Sequence, residues 1–178
     1  LPQPTARLTP SEPDAELDGG LDVAQTLSSR QIVVAKGALN TAKTLLLPMA
    51  ERLTTERAAR LAQSIDEGCA AIALDEGIDD ETLPHVLEDR LAFRVLSDTI
   101  SIRDKTKIAP NRQTVFKAQT RLAKLPTHVK DIEALATLAA QFGVHSLRAL
   151  HLAFRCARAH AVLMAHETQY ETDFLVAA

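Results

Sequence analysis

The spacing of apolar positions changes its period along the chain. Residues 1–16, LPQPTARLTPSEPDAE, are Pro-rich and polar and predict an extended or disordered segment. LDGGLDVAQTL (17–27) reads as a Gly-Gly turn followed by a short amphipathic helix, with Asp22 near its start. RQIVVAKG is a short β-branched run, and KTLLLPM predicts a buried strand. TTERAARLAQSIDEG predicts a helix: Thr54 or Thr55 caps it, Leu61, Ala62 and Ile65 share a face, and Gly68 stops it. CAAIALDEG predicts a second buried strand that ends in an acidic loop. DETLPHVLEDR predicts a short helix with Pro84 near its start. LAFRVLSDTIS alternates as a third strand would.

Beyond about residue 104 the period becomes helical. RDKTKIAPNR is a charged, Pro-containing connector, and TVFKAQTRLAKL is amphipathic. DIEALATLAAQFG places Ile132, Leu135, Ala136, Leu138, Ala139 and Phe142 on a broad face, and Gly143 ends it. SLRALHLAFRCARAHAVLMAHE starts from the cap Ser146 and predicts about six turns. One more helix opens at Thr172. A strand-containing lobe therefore precedes an all-helical lobe, and no internal repeat is evident.

Composition supports a helix-rich core. Of the 178 residues, 46% are apolar but only 3% are aromatic, so Leu, Ala, Ile and Val must fill the interior. A formal charge of −3 argues against a broad nucleic-acid footprint. Cys69 and Cys156 lack metal-type spacing and read as reduced thiols of a cytoplasmic protein. No apolar run approaches the roughly 20 residues of a membrane helix. Both ends read as cut from something longer.

Several stretches resemble chemical motifs. GALNTAKT (37–44) misses a P-loop by one methyl group, because Ala42 stands where the second glycine belongs. A P-loop also needs a helix after its Lys-Thr, and here Leu-Leu-Leu-Pro follows, so the context is reversed. At the end of that strand, ATPases carry Asp-Glu. This chain has Pro48 and Met49, which can neither hold a magnesium-bound water nor polarise an attacking one. Glu51 reads as a solvated acid at a helix start. LAAQFGVHSLRALHLAF has helix-turn-helix spacing, but its second helix offers only Arg148 and His151 among apolar residues. The six histidines show no metal-ligand set, and LDEGIDDE reads as a solvated acidic turn. Arg90 sits immediately before an apolar run. Arg148 lies in the first turn of a long helix, where the dipole disfavours a cation and an anionic partner would relieve it.

Taken in order, LDGGLDVAQTL, LLLPMAERL, ARLAQSIDEG, IALDEGIDDE, LEDRLAFRV and GVHSLRALHLAFRCARAHAVL resemble the AAA+ module of magnesium chelatase D subunits. The resemblance covers the chain from about residue 17. It implies a partial AAA+ fold: an α/β lobe over 17–104 and a helical lid over 113–178, after the segment 1–16. That enzyme inserts Mg2+ into protoporphyrin IX on the way to chlorophyll and bacteriochlorophyll. The resemblance implies a subunit that is itself not an active ATPase and serves as platform and activator for the ATP-hydrolysing I subunit in a ring complex. The H subunit would hold the porphyrin, and ATP and Mg2+ would act at the level of the complex. Pro48 and Met49 would be a degenerate Walker B, Arg90 an arginine finger offered in trans, Arg148 a sensor-2 residue, and Asp75 would stand near sensor 1. A finger of this kind is worth about 10³ to 10⁵ in rate. The resemblance places any P-loop before the start of this chain and puts a longer insertion between IDEG and CAAIALDEG. An autonomous ATPase and a DNA-binding helix-turn-helix protein are the alternative readings.

Overall fold

The computed structural model describes residues 3–78, 80–97 and 111–177. The chain divides into two compact units, Leu1–Leu91 and Ala92–Ala178.

The first unit is built on a three-stranded parallel sheet in the order β1–β4–β5, with β1 Thr5–Arg7, β4 Thr44–Leu47 and β5 Ala70–Ala73. The register sets Thr5 beside Thr44 and Thr44 beside Ala70, running to Leu47 beside Ala73. Strand β4 lies in the middle, which is why TLLL carries no alternation: a parallel strand covered on both faces is apolar throughout. Within residues 1–16, Thr5–Arg7 is therefore an edge strand, and Leu8 continues the pairing through a bond from its N–H to Leu46 O (3.0 Å).

Helix α4, Thr55–Asp66, is the crossover from β4 to β5. Thr54 caps it by accepting from Arg57 N, its buried face is Ala58, Leu61, Ala62 and Ser64, and Gly68 (φ 102°) ends the connection. Arg57 reaches back from α4 to the carbonyls of Pro10 and Glu12 and to the Asp14 carboxylate (3.0 Å). It thereby fixes the path from β1 into α1, Asp14–Asp18, whose Leu17 is fully buried. A hairpin follows: β2 Gly19–Leu21 pairs antiparallel with β3 Val34–Lys36, and α2 Val23–Ser29, capped by Asp22, fills the connection. Beyond β3, α3 is the single turn Ala38–Thr41; beyond β5, α5 is the single turn His85–Glu88. Leu8, Leu17, Leu45, Leu47, Leu61 and Leu87 are the large side chains of one leucine core. The third strand expected in LAFRVLSDTIS does not form over residues 91–97; its remainder lies outside the described residues. Phe93, Val95 and Leu96 are exposed there, so neither face of the alternation is buried.

The second unit contains α6 Arg112–Leu122, α7 Val129–Gln141, α8 Leu147–Leu163 and α9 Glu171–Ala177. Asn111 and Ser146 cap α6 and α8 by accepting from Gln113 N and Ala149 N, and Gly143 (φ 69°) follows α7. Helix α8 is shorter than its apolar period predicts. It closes at Met164, where Ala165 turns to φ 63° and His166 N returns to Ala161 O (2.9 Å). The buried apolar residues are Ala118, Leu125, Leu135, Ala157, Ala161 and Val162. Polar groups do much of the joining. Arg158 of α8 donates to the carbonyls of Leu122, Leu125 and Pro126 (3.1–3.2 Å) and to Thr127 Oγ1 (2.6 Å). It thus satisfies carbonyls that the end of α6 leaves without helical partners.

Candidate functional site

The carboxyl-terminal edge of the parallel sheet is where α/β folds of this kind place ligands, and the sequence puts Pro48, Met49 and Asp75 there. Pro48 and Met49 follow directly on β4. Met49 takes a left-handed conformation (φ 51°), and the chain then tightens into a 3-10 turn, Ala50–Arg52. The end of β5 is stitched to this turn: Leu74 N donates to Leu47 O (2.9 Å) and Ala50 N to Leu74 O (3.0 Å).

Glu51 is not the solvated acid that its position suggests. Its side chain is wholly buried, and Oε2 accepts from Glu76 N at 3.1 Å. Oε1 makes no hydrogen bond and faces Arg52 Nε at 3.5 Å. Arg52 in turn lies 3.6 Å from Glu81. A Cβ on Gly77 would come within 2.8 Å of Glu51 Cγ and 2.9 Å of Glu81 Cβ, so the loop after β5 closes directly onto Glu51. Asp75 is exposed, and its Oδ1 accepts from Gly77 N (3.1 Å). Sequence alone reads Glu51 as a solvated acid at a helix start, because its burial is set by the return of the loop after β5.

Arg90, one residue before the end of the unit, has a side chain only 16% exposed. Its Nε and Nη2 donate to Asp66 Oδ2 (3.0 and 2.7 Å), and Nη1 donates to Val86 O (2.7 Å). The guanidinium thus ties α5 to the end of α4. Arg148 occupies the first turn of α8 in the helical unit, half-buried and with partners of its own.

The P-loop-like stretch has a structural explanation. Gly37 crosses the backbone of the α1–β2 corner so closely that a Cβ would lie 2.2 Å from both Leu17 O and Gly19 N. The residues after it form one turn, Ala38–Thr41, and Lys43 N donates to Pro4 O (2.8 Å) as the chain enters β4. The glycine serves a chain crossing, and the Lys-Thr opens a strand instead of a helix. Residues 37–44 therefore do not fit a triphosphate.

Two histidines do cluster, in the helical unit. Asp173, fully buried in α9, accepts from His160 Nδ1 (2.6 Å), His166 Nδ1 (3.0 Å) and Tyr170 N (2.8 Å). Burial alone would raise its pKa, but the Tyr170 N–H and the two imidazoles outweigh it and hold the carboxyl below its ordinary value. Among the described residues no group of three or more His, Cys, Asp and Glu side chains has the arrangement of a metal site. Burial raises the pKa of both Cys69 and Cys156, the opposite of an activated thiol.

A parallel α/β lobe followed, among the described residues, by the helices α6 to α9 defines the class: a partial AAA+-like module with a helical lid. A solved candidate ATPase from Cytophaga hutchinsonii has the same fold, with a TM-score of 0.65 over 97% of this chain and 66% of that one, at 16% identity. The chain is 41% identical over its whole length to the magnesium-chelatase 60 kDa subunit of Cereibacter sphaeroides and 39% identical to that of Rhodobacter capsulatus. It belongs by homology to the magnesium chelatase D-subunit family, and it spans 32% of the length of each of these relatives. No model of a protein family matches the chain.

Proposed function

We propose that the chain is the AAA+ part of a magnesium chelatase subunit that supports ATP turnover in a partner without hydrolysing ATP itself. The observation that carries this reading is the sheet edge. Pro48 and Met49 offer no acid where an ATPase needs one, and the only carboxylate of that turn, Glu51, is buried and engaged with the loop after β5. A lobe with this edge is suited to be a platform and activator for an ATP-hydrolysing I subunit. The porphyrin-binding H subunit completes the complex, ATP and Mg2+ act at the level of the complex, and the site of action is cytoplasmic. Mg2+ is also the substrate, inserted into protoporphyrin IX. Homology over this chain's whole length to the 60 kDa subunits supports a chelatase reading over a DNA-binding protein, and the lack of an acid at Pro48 and Met49 supports a non-hydrolysing subunit over an autonomous ATPase. Among the described residues no helix is long and apolar enough to cross a membrane.

In this reading Arg90 is the finger presented to a nucleotide on the neighbouring subunit, and Arg148 is the sensor-2 contact from the lid. Arg90 rests on Asp66, so engaging a phosphate means exchanging one anion for another. A guanidinium already held by a carboxylate is oriented and desolvated for that exchange. The test is to mix the protein with its I subunit and MgATP, follow assembly by light scattering, and then measure porphyrin metallation with Arg90→Ala. A large nucleotide-dependent complex whose chelation falls by at least about tenfold in the mutant is expected. No assembly under conditions where the I subunit alone forms rings would overturn the chelatase reading. Normal chelation by a folded Arg90→Ala protein would overturn the finger.

A further inference from the structure

Two surfaces of opposite charge remain outside the functions described above. The first is the outer face of α6. No Asp or Glu occurs between Asn111 and Lys130. Lys117, Arg121 and Lys124 fall at i, i+4 and i+7 and so share one face. With Phe116 and Thr120 they line a shallow recess of about 330 Å³. Phe116 is 71% exposed, while Ala118 and Leu125 turn into the core of the unit. Among the described residues no carboxylate pairs with Lys117, Arg121 or Lys124. Lys117, Arg121 and an exposed phenyl ring on α6, with Lys124 just beyond its end, are an unusual surface for a chain whose net charge is −3.

The second surface is the loop after β5, LDEGIDDE. Asp75, Glu76, Asp80 and Glu81 are exposed, and Ile78 stands out between them at 78% exposure. The loop is preformed: Glu76 N is held by buried Glu51, Gly77 N by Asp75, and Glu81 N by Ile78 O (2.7 Å).

We propose that the α6 face is a docking surface for the acidic loop of a second copy of this chain. The two surfaces are complementary in charge, and each sets one exposed apolar side chain among its charges. Ile78 would enter the recess beside Phe116 while the loop carboxylates face Lys117, Arg121 and Lys124. Because the loop is held by its own hydrogen bonds, little ordering entropy is lost on docking. Because the two surfaces differ, the contact is head-to-tail. A copy that gives its loop to a neighbour keeps its own α6 face for a further copy, so association does not stop at a dimer. A nucleic acid is a poorer match: the cations occupy one side of one helix, and an acidic loop elsewhere on the chain answers them. The inference rests on the assembly part of the proposed function and supplies a surface for it.

The test is sedimentation velocity of the protein at about 50 mM and about 500 mM salt, where screening differs severalfold. Self-association that weakens at high salt is expected. The triple reversal Lys117→Glu, Arg121→Glu, Lys124→Glu and the separate reversal Asp75→Lys, Glu76→Lys, Asp80→Lys should each raise the apparent Kd by at least about tenfold. Mixing the two variants should restore association. Ile78→Ser, a change at an exposed position, should weaken it in a chain whose circular dichroism is unaltered, which keeps the test valid if a triple variant misfolds. A wild-type chain that stays monomeric, association untouched by either reversal, or a failure of the mixture to recover would each overturn the proposal. So would a single-stranded oligonucleotide that binds the wild type, is lost with the α6 reversal, and is accompanied by no self-association. Charge-insensitive self-association would sink this surface and leave the assembly reading intact. Failure to bind the I subunit would sink the chelatase reading and leave charge-dependent self-association standing.

Discussion

The two units of the chain hold themselves together by different means. In the α/β unit a single leucine core runs from Leu8 to Leu87, and β4 at its centre is buried along its length. In the helical unit half of the buried apolar residues are alanines, and the joints are polar: Arg158 over the end of α6, and Asp173 between His160 and His166. Apolar burial is non-directional and scales with area, so the first unit should yield most to cavities. Alanines bury little area, so the second relies on hydrogen-bonded groups whose loss leaves partners stranded in the interior. A leucine-filled lobe is suited to hold a fixed edge.

The largest expected effect tests the first half of that contrast. Leu61 is fully buried on α4, facing the sheet. Leu61→Ala should cost about 2–5 kcal/mol, read from urea denaturation of the α/β unit. A loss within the range of an exposed substitution would mean that the leucine core is not what stabilises this unit.

A smaller effect, with a characteristic pH dependence, tests the second half. Asp173→Asn keeps the shape but places an amide NH2 among groups that donate, and should cost about 1–3 kcal/mol, read as lost helicity on heating. The sign follows from the depressed pKa. The carboxylate contributes stability fully above its unfolded pKa, and that contribution is lost as pH falls through the folded value, below the ordinary value of 3.8. The wild type should therefore lose stability on acidification through that window, and Asp173→Asn should show a flatter profile there. Parallel profiles would show that the carboxylate charge does not hold α9 to α8.

The same contrast governs what was legible in the sequence. Elements set by local signals were readable: Thr54 or Thr55 and Ser146 as caps, Asp22 near a helix start, Gly68 and Gly143 as stops, and TLLL as a buried strand. Features set by residues distant in sequence were not. Thr5–Arg7 is a strand because β4 lies beside it, though its own composition reads as tail. LAFRVLS alternates like a strand but forms none over 91–97. The P-loop likeness of 37–44 dissolves because Gly37 answers Gly19, eighteen positions earlier. Arg158 and Asp173 carried no motif at all, since their partners lie on other helices or in the connections between them. At the site, Pro48 and Met49 were readable as a missing acid, whereas the burial of Glu51 depended on a loop 25 residues away.

Glu51 is the point where the α/β unit departs from its own pattern and uses a polar joint like those of the helical unit, and it gives the smallest predicted effect. Its carboxylate makes one hydrogen bond, to Glu76 N, and one looser contact, to Arg52, against the three hydrogen-bond partners of Asp173. The surrounding leucine core does not depend on it. Glu51→Ala should therefore cost only about 1 kcal/mol of global stability, the usual net value of a single hydrogen bond. Locally the change should be larger, because Glu51 Oε2 is the acceptor that holds Glu76 N in the loop after β5. Amide hydrogen exchange at Glu76 should quicken by about tenfold, while Glu51→Gln, which keeps an acceptor for that N–H, should restore most of the protection. If exchange at Glu76 is unchanged in the alanine variant, the Asp75–Gly77 turn holds the loop by itself. If global stability falls as far as for Leu61→Ala, the polar joint is as essential to the sheet edge as the core is, and the division between the two units does not hold there.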